Sequence, residues 1–400
     1  MAEPRLQLLY VLNEYDAATP THYSHVLPLL EQLVRQGVPV RLLIEKADAA
    51  PETDGIEVIV AGGRGTRPLP RIGKTARLAV QAFRDGYNIT FVRISITGVV
   101  AIGLGRIWCR RKCEQHPVVY WQSGTTLTGE RYRFLPRSFT PRWAGRSPAK
   151  VLAWQFIDFF ATGPESMLDY YADTGDVPRS KLLMLYNDVD SQRYALDQKA
   201  VEQARVRVRE RLGIPAETKI VLHNHRFSPV RRSHLYFPEL LSRLQEQGSL
   251  DACHFVFVGG GPDRTTVERA VESAGLKEFC SFLGSVPNRS IDEIYAASNV
   301  FLQASYAEGF PRVMLEAMAS GLPMVSTDAG GSRDIVGPLQ AAHIHGVDEF
   351  GALCRSLTRM IEDEEEAAAV AFENMGWVER FDTYRIATMY KRRLGELLSQ

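Results

Sequence analysis

Short apolar segments alternate with amphipathic helical segments along most of this 400-residue chain. An apolar run at residues 6–12 is followed by apolar residues at helical spacing in 23–36, and then by a second apolar run at 38–44. Strand, helix and strand in that order predict two parallel strands joined by a right-handed crossover. The alternation resumes at residues 219–327. The chain is therefore predicted to be an α/β protein with two doubly wound parallel sheets.

The length of the chain also favours two domains, since one ordinary hydrophobic core rarely extends over 400 residues. We place an N-terminal domain at residues 1–194, a C-terminal domain at 195–377 and a final helical segment at 378–400. No apolar run approaches the roughly 20 residues of a membrane span, and the start does not resemble a signal peptide. Five scattered cysteines favour a reducing compartment, so we expect a cytoplasmic protein.

The segment at residues 305–331 carries the strongest functional signal. Glu308 precedes a Gly-Phe-Pro turn, and Glu316 lies eight positions later on the helix that the turn opens. A helix start presents free N–H groups and a positive dipole end, so it can hold a phosphate. An ionised carboxylate accepts up to about four hydrogen bonds, which suits hydroxyl groups. Together they indicate a nucleotide sugar; the alternative is that both acids are surface residues without a function.

Two further segments follow predicted strands and so reach the same edge of the second sheet. Arg226 and Arg231 follow the strand predicted at residues 219–224, where guanidinium groups can hold phosphate oxygens. The turn Gly259-Gly260-Gly261-Pro262 follows the next strand, and its glycines would let the backbone approach a ligand closely. Surface charge and a plain tight turn are the alternatives.

The stretch from Glu308 to Met324 resembles the Glu-x7-Glu motif of the family-4 retaining glycosyltransferases, which have the GT-B fold of two Rossmann-like domains facing a cleft. The second half of the motif reads Glu316-Ala-Met-Ala-Ser-Gly-Leu-Pro-Met324. The resemblance implies that Glu308 lies by the donor sugar, that Glu316 binds the ribose hydroxyls and that the helix start faces the diphosphate. The residues at that helix start are Gly309, Phe310, Pro311 and Arg312.

Collinear segments add to this resemblance. The family's Gly-Arg-Leu-x-Pro-x-Lys-Gly segment, whose Arg and Lys hold the diphosphate, corresponds to the segment from His225 to Arg232. Arg226 is retained, Arg231 replaces the Lys, and both glycines are replaced. The resemblance assigns catalysis to these two arginines and Glu308. It adds donor contacts from two turns, at Gly259, Gly261, Pro262, Gly284 and Val286.

The N-terminal domain departs from the family pattern. Residues 16–22 replace the family's Gly-Gly turn after the first strand, and Ser123 replaces the histidine of its Thr-x-His-Gly segment. The resemblance predicts that the C-terminal helix returns to this domain. On the acceptor side it places Thr21, His22, Ser123 and Gly124.

The resemblance implies a retaining hexosyltransferase that moves a sugar from a nucleotide-diphosphate donor to a glycan or lipid-linked acceptor, in cell-surface glycan or glycolipid synthesis. It implies front-face departure of the diphosphate and no cofactor. No metal is expected, because Arg226, Arg231 and the helix end can neutralise the diphosphate. The alternatives are a nucleotide-sugar epimerase of similar fold and a non-catalytic sugar-nucleotide-binding protein.

Residues 101–150 hold 10 basic and 2 acidic residues, although the whole chain has no net charge. In residues 129–150 the basic residues are interleaved with aromatic residues such as Phe139 and Trp143, which suits an anionic membrane surface. A solvated loop beside the acceptor is the alternative, and nucleic acid is not an expected partner. The protein is thus expected in the cytoplasm, with a peripheral position on the cytoplasmic membrane face left open.

Two other motifs are interpreted without a function. Asp188-Val189-Asp190 has the spacing of a metal–diphosphate site, but it lies at the link between the domains, so we predict linker structure. Gly73-Lys74-Thr75 lacks the glycine five residues earlier that a phosphate-binding loop requires.

Overall fold

The computed structural model describes residues 5–16, 25–109, 116–124, 136 and 138–399. The chain divides into two compact units, each with its own parallel sheet. The first unit comprises most of the chain up to Tyr186 and the C-terminal segment from Thr383; the second unit extends from Asn187 to Asp382. The divisions fall at residues 187 and 383, whereas the sequence analysis put them at 195 and 378.

The first unit contains a seven-stranded sheet of order β3-β2-β1-β4-β5-β6-β7. Its strands are β1 (Leu8–Glu14), β2 (Val40–Lys46), β3 (Glu57–Val60), β4 (Ile89–Arg93), β5 (Val118–Trp121), β6 (Phe159–Thr162) and β7 (Leu182–Met184). Its first five helices are α1 (Val26–Arg35), α2 (Pro68–Arg84), α3 (Ile96–Cys109), α4 (Pro148–Trp154) and α5 (Glu165–Asp169). The C-terminal helix of the chain, Thr383–Glu396, packs against α1 within this unit.

The second unit contains a six-stranded sheet of order β10-β9-β8-β11-β12-β13. Its strands are β8 (Lys219–Asn224), β9 (Cys253–Val258), β10 (Cys280–Gly284), β11 (Val300–Gln303), β12 (Met324–Thr327) and β13 (Ile344–His345). Its helices are α6 (Ser191–Tyr194), α7 (Gln198–Leu212), α8 (Ser233–Glu246), α9 (Arg264–Ser273), α10 (Ile291–Ala297), α11 (Arg312–Ala319), α12 (Pro338–Ala341), α13 (Phe350–Glu362) and α14 (Glu364–Val378).

Both sheets are parallel and their central strands are buried on both faces, which explains why these strands are nearly continuous apolar runs. The bounds predicted for the strand at residues 219–224 are confirmed by β8. Helix α2 begins at Pro68 and ends at Arg84. The Gly73-Lys74-Thr75 motif therefore lies inside a helix, where it cannot form a phosphate-binding loop.

The Asp188-Val189-Asp190 segment supports local backbone structure in the second unit. Asp190 caps α6 by accepting a hydrogen bond from Arg193 N at 3.2 Å, and the Asp188 carbonyl accepts one from Arg312 Nε at 3.1 Å. Both contacts fix the course of the chain at the start of the second unit.

The basic segment of the first unit is only partly described. Arg142 and Arg146 are exposed and Phe139 is 49% exposed, in keeping with a surface segment. Trp143, in contrast, is buried, and its indole N–H donates to Gln122 Oε1 at 3.0 Å. The prediction that Trp143 is an interfacial aromatic is therefore wrong, because this ring fills the core of the first unit.

The scattered cysteines favoured a reducing compartment, in which disulfide bonds are rare, but the structure contains a disulfide-bonded cysteine. Cys253, Cys280 and Cys354 are free, but Cys109 is disulfide-bonded. In the part of the chain that the structure describes, no helix has the length and hydropathy needed to cross a membrane.

Candidate functional site

The order of the second sheet reverses between β8 and β11, and open α/β sheets bind ligands beyond the carboxyl ends of the strands at such a point. Three loops leave the sheet at this edge: residues 225–232 after β8, 304–311 after β11 and 328–331 after β12. Most of the predicted site residues of the second unit lie on these loops and on α11.

Glu308 is 7% exposed, and donors from two loops converge on its carboxylate. Its Oε1 lies 2.8 Å from His225 Nε2 and 3.1 Å from Arg231 Nε, and it accepts a 2.8 Å hydrogen bond from Ser305 Oγ. Burial alone would raise the pKa of Glu308. His225, Arg231 and Ser305 outweigh burial and lower the pKa to about 2. The carboxylate is therefore ionised at neutral pH.

The loop after β8 presents three arginine side chains, those of Arg226, Arg231 and Arg232. Arg231 ends a 3-10 turn, and its Nη1 donates to the Arg226 carbonyl at 2.9 Å. Arg232 then adopts a left-handed conformation, with a φ of 54°, and its guanidinium lies 4.2 Å from the ring centre of Tyr306. Arg226 is exposed, whereas Arg231 is partly buried against the carboxylate of the neighbouring loop. The Arg231 guanidinium is thus fixed in place, whereas that of Arg226 reaches the surface.

Gly259 and Gly261 are required by contacts inside the protein. Both have a positive φ, 128° and 139°, and a Cβ on either would overlap a carbonyl oxygen: that of His225 at 1.9 Å and that of Phe227 at 2.0 Å. The His225 and Phe227 N–H groups also donate to carbonyls of the same turn at 2.9 Å. The glycines were predicted to let a ligand approach the backbone, but the contacts show that they first allow the turn after β9 to pack against the loop after β8.

The remaining turn residues lie beside this contact. Gly284 ends β10 with a φ of 70°, and its carbonyl accepts a hydrogen bond from Gly259 N at 2.8 Å. Val286 is half-buried and Pro262 is exposed. The structure thus brings the predicted donor-side turns to one edge of the sheet.

Glu316 is half-buried on α11 and contacts tyrosine hydroxyls. Tyr295 OH donates to Glu316 Oε2 at 2.9 Å and receives a hydrogen bond from Asn224 Nδ2 at 3.0 Å. Tyr194 also hydrogen-bonds the carboxylate, and its ring packs edge-on against Tyr295. Burial raises the pKa of Glu316, and the Arg312 charge and the tyrosine hydroxyls oppose that shift. The carboxylate lies in a cluster of hydroxyl and amide groups, which suits a ligand that carries hydroxyls.

Helix α11 begins at Arg312, and its N-terminus lacks both a side-chain cap and an acidic residue in the first turn. The N-cap residue is Pro311. Phe310 is buried, and the Gly309 carbonyl accepts a hydrogen bond of 3.1 Å from the loop after β12. The positive end of the helix dipole therefore favours an anion at this point.

The acceptor-side predictions concern residues in the first third of the chain. Thr21 and His22 lie outside the described residues. Ser123 and Gly124 follow β5, where Ser123 is half-buried and Gly124 has a φ of 125°. Their proposed role therefore rests on the resemblance alone.

Sequence reasoning missed four side chains that surround the two glutamates: His225, Ser305, Tyr194 and Tyr295. His225 carried a signal, because it stands where the resembled segment has glycine. The two tyrosines carried none, because they reach Glu316 from helices that are distant in the sequence.

Comparisons with known proteins address what this arrangement does. Residues 205–374, within the second unit, match the family model described as Glycosyl transferases group 1. A GDP-mannose-dependent alpha-mannosyltransferase of Mycobacterium tuberculosis is 27% identical over 82% of this chain and 80% of that protein. An N-acetyl-alpha-D-glucosaminyl L-malate synthase of Bacillus anthracis is 25% identical over 54% of this chain and 53% of that protein. These matches identify a glycosyltransferase.

The fold of this glycosyltransferase is shared with solved structures. Alr3699/HepE of Anabaena, in complex with UDP-glucose, has a TM-score of 0.73 at 20% identity and covers 98% of this chain and 100% of that one. WaaG, a glycosyltransferase involved in lipopolysaccharide biosynthesis, has a TM-score of 0.66 at 14% identity and covers 96% of this chain and 98% of that one. The expected GT-B fold class, with two doubly wound α/β domains, is confirmed.

Proposed function

We propose that this glycosyltransferase is a retaining member of family 4 that transfers a hexosyl group from a nucleotide-diphosphate sugar to a glycan or lipid-linked acceptor. The observation that carries the proposal is the charge arrangement at the β8–β11 edge. There, cationic side chains and the N-terminus of α11 accompany an ionised carboxylate, Glu308. One relative is named GDP-mannose-dependent and one similar structure was solved with UDP-glucose, which supports a nucleotide sugar as donor.

The diphosphate is assigned to Arg226, Arg231 and the first turn of α11. Guanidinium groups bind phosphate oxygens with two parallel hydrogen bonds, and a helix N-terminus adds N–H donors and a positive dipole end. This set of groups stabilises the charge that develops on the leaving diphosphate, so the proposed reaction needs no metal ion.

The two glutamates are assigned to hydroxyl groups of the donor. Glu316 accepts hydrogen bonds from the ribose hydroxyls, in the position where it now receives the Tyr295 hydroxyl. Glu308, which a low pKa keeps ionised, accepts hydroxyls of the transferred sugar. Transfer breaks the bond between the anomeric carbon and the diphosphate oxygen. The acceptor oxygen bonds to the same face of that carbon, and its proton passes to the leaving phosphate.

A peripheral position on the cytoplasmic membrane face is part of the proposal. Helices α3 and α4 pack together in the first unit, and exposed apolar side chains lie at the end of α3 and on α4, with basic residues nearby. These side chains are Ile107, Trp108 and Leu152, and the exposed cations are Arg142 and Arg146. Apolar and cationic groups together suit anionic lipid. Sedimentation with phosphatidylglycerol vesicles, but not with phosphatidylcholine vesicles, tests this position; equal recovery in both supernatants would contradict it.

The donor proposal is tested by thermal unfolding in the presence of GDP-, UDP- and ADP-sugars. A bound donor raises the melting temperature by mass action, and the sugar that does so identifies base and sugar together. NMR of the product formed from that donor then reports the anomeric configuration, which we expect to be retained. Turnover of the donor without any acceptor would favour an epimerase, and binding without transfer to any lipid or glycan would favour a non-catalytic binding protein.

A further inference from the structure

His225 occupies a position that is glycine in the resembled segment, and the backbone around it is firmly held. Its N–H donates to the Val258 carbonyl at 2.9 Å, and its own carbonyl packs against Gly259, where a Cβ would lie 1.9 Å away. The residue follows β8 directly, at the point where the order of the sheet reverses. Its ring is therefore carried by one of the best-fixed backbone positions of the site.

The ring of His225 is directed at Glu308. Nε2 lies 2.8 Å from Glu308 Oε1, and only 7% and 6% of the two side chains are exposed. The second ring nitrogen, Nδ1, is buried and has no hydrogen-bond partner among the described residues. An ionised carboxylate only accepts hydrogen bonds, so the proton of the ring must be on Nε2.

The three contacts at Glu308 fall on a single oxygen. His225 Nε2, Arg231 Nε and Ser305 Oγ all approach Oε1, from the loop after β8 and the loop after β11. Donors on one oxygen define the rotation of the carboxylate about its terminal bond. Among the described residues no hydrogen bond or ion pair reaches the other oxygen, Oε2, so this oxygen is left to accept hydrogen bonds from a ligand.

We propose that His225 is a positioning residue for the transfer reaction: its Nε2–H holds Oε1 of Glu308 so that Oε2 is presented to the hydroxyls of the donor sugar. The inference rests on the proposed function for the identity of the ligand, but the contact itself does not. Arg231 and Ser305 assist, yet Arg231 also carries the diphosphate. Of the two donors on the loop after β8, His225 is therefore the one that orients the carboxylate without a second assigned role.

The contact is tested without any substrate by measuring the pKa of Glu308. NMR titration of carbon-13-labelled glutamate carboxyls, with the Glu308 signal assigned by its loss in Glu308→Gln, compares wild type, His225→Gly and His225→Gln. The charged or titratable groups that face the carboxylate are His225, Arg231 and, behind the first ring, His223. We expect the pKa of Glu308 to increase in His225→Gly and to increase less in His225→Gln, whose amide can still donate. An unchanged pKa in His225→Gly would overturn the inference, and His225→Ala serves if that variant does not fold.

Kinetics then separate positioning from mere packing. We expect kcat to fall about tenfold to hundredfold in His225→Gly, with the KM for the donor within about twofold, because misplaced catalytic groups lower turnover by such factors. His225→Gln should recover most of kcat. His254→Gln is the matched control, since His254 Nε2 hydrogen-bonds Ser281 Oγ at 2.8 Å on the same sheet. Equal losses in His225→Gly and His225→Gln would make the ring a packing group and refute the inference. If wild type transfers no sugar, the proposed function fails, and the titration still decides whether His225 holds Glu308.

Discussion

Gly261 packs the turn after β9 against the loop that carries Arg226 and Arg231, and Gly261→Ala tests how far the site depends on that contact. A Cβ at this position would lie 2.0 Å from the Phe227 carbonyl oxygen, with a φ of 139°. Side-chain-bearing residues at such a φ are disfavoured by about 1–3 kcal/mol. Moving backbone to relieve the overlap adds about 1–3 kcal/mol. The expected loss of stability is therefore about 2–6 kcal/mol.

Two other glycines provide matched controls. Gly213 also has a positive φ, 67°, but a Cβ there meets nothing within 4 Å, so Gly213→Ala should lose only about 1–2 kcal/mol. Gly376 lies exposed inside α14, and a Cβ there would meet nothing within 4 Å outside the backbone of its own helix. Gly376→Ala should therefore gain up to about 1 kcal/mol from helix propensity. Each of the three variants differs from wild type by one methyl group. Together they separate the effect of a positive φ on stability from the effect of steric overlap.

The assay is thermal unfolding with and without the donor found in the sugar-nucleotide screen. For a domain of this size, 1 kcal/mol corresponds to about 2–4 °C. Gly261→Ala should therefore melt at least about 4 °C below wild type and show a reduced shift with the donor, because the displaced Phe227 carbonyl moves the arginine loop. Gly213→Ala should keep the full donor shift. If Gly261→Ala matches Gly213→Ala in both melting temperature and donor shift, the overlap is relieved at no cost and the reasoning fails.

Three further outcomes follow from the two glutamates and their cations. Glu316→Gln keeps the size of the side chain but loses its charge. Because hydrogen bonds to charged groups contribute about 1.5–3 kcal/mol, the KM for the donor should increase about tenfold or more in initial-rate measurements. An unchanged KM would contradict the ribose role. Arg231→Lys keeps the charge but loses the forked guanidinium that contacts Glu308 Oε1 and the Arg226 carbonyl. We therefore expect kcat to fall by a larger factor than the KM for the acceptor changes. A change in the acceptor KM alone would contradict the diphosphate role of Arg231. The pKa of Glu308 is lowered from 4.5 to about 2, so its ionised contacts stabilise the fold fully above pH 4.5 and less as the pH falls towards 2. The difference in melting temperature between wild type and Glu308→Gln should therefore become smaller from pH 7 to pH 3.5. A constant difference would refute the lowered pKa of Glu308.

The strands were predictable because a buried parallel strand is a short apolar run, and β8 has the predicted bounds. The start of α2 has no clear sequence signal, because Pro68 and Pro70 suit a loop as well as the first turn of a helix. The fold class therefore follows from local patterns, and the errors lie where one residue type suits both a loop and a helix start.

The candidate site was predictable only in its glutamates, arginines and glycines. What surrounds them depends on pairing between distant segments: Tyr194 and Tyr295 reach Glu316 from α6 and α10, and His225 meets Glu308 across two strands of the sheet. No local pattern contains such contacts. The motif thus identified the two carboxylates, but not the neighbouring side chains that shift their pKa values in different directions.

The different surroundings of Glu308 and Glu316 argue against interpreting the two glutamates as a general acid and a general base. Cations and a hydroxyl lower the pKa of Glu308, whereas burial raises that of Glu316, and such divergence often marks an acid and base pair. Here, however, Tyr295 donates to Glu316, so Glu316 acts as an acceptor, and three donors already converge on one oxygen of Glu308. Neither carboxylate is arranged to give a proton to a substrate. The arrangement instead suits two hydrogen-bond acceptors of different strength, which is what a ligand with two separate sets of hydroxyls requires.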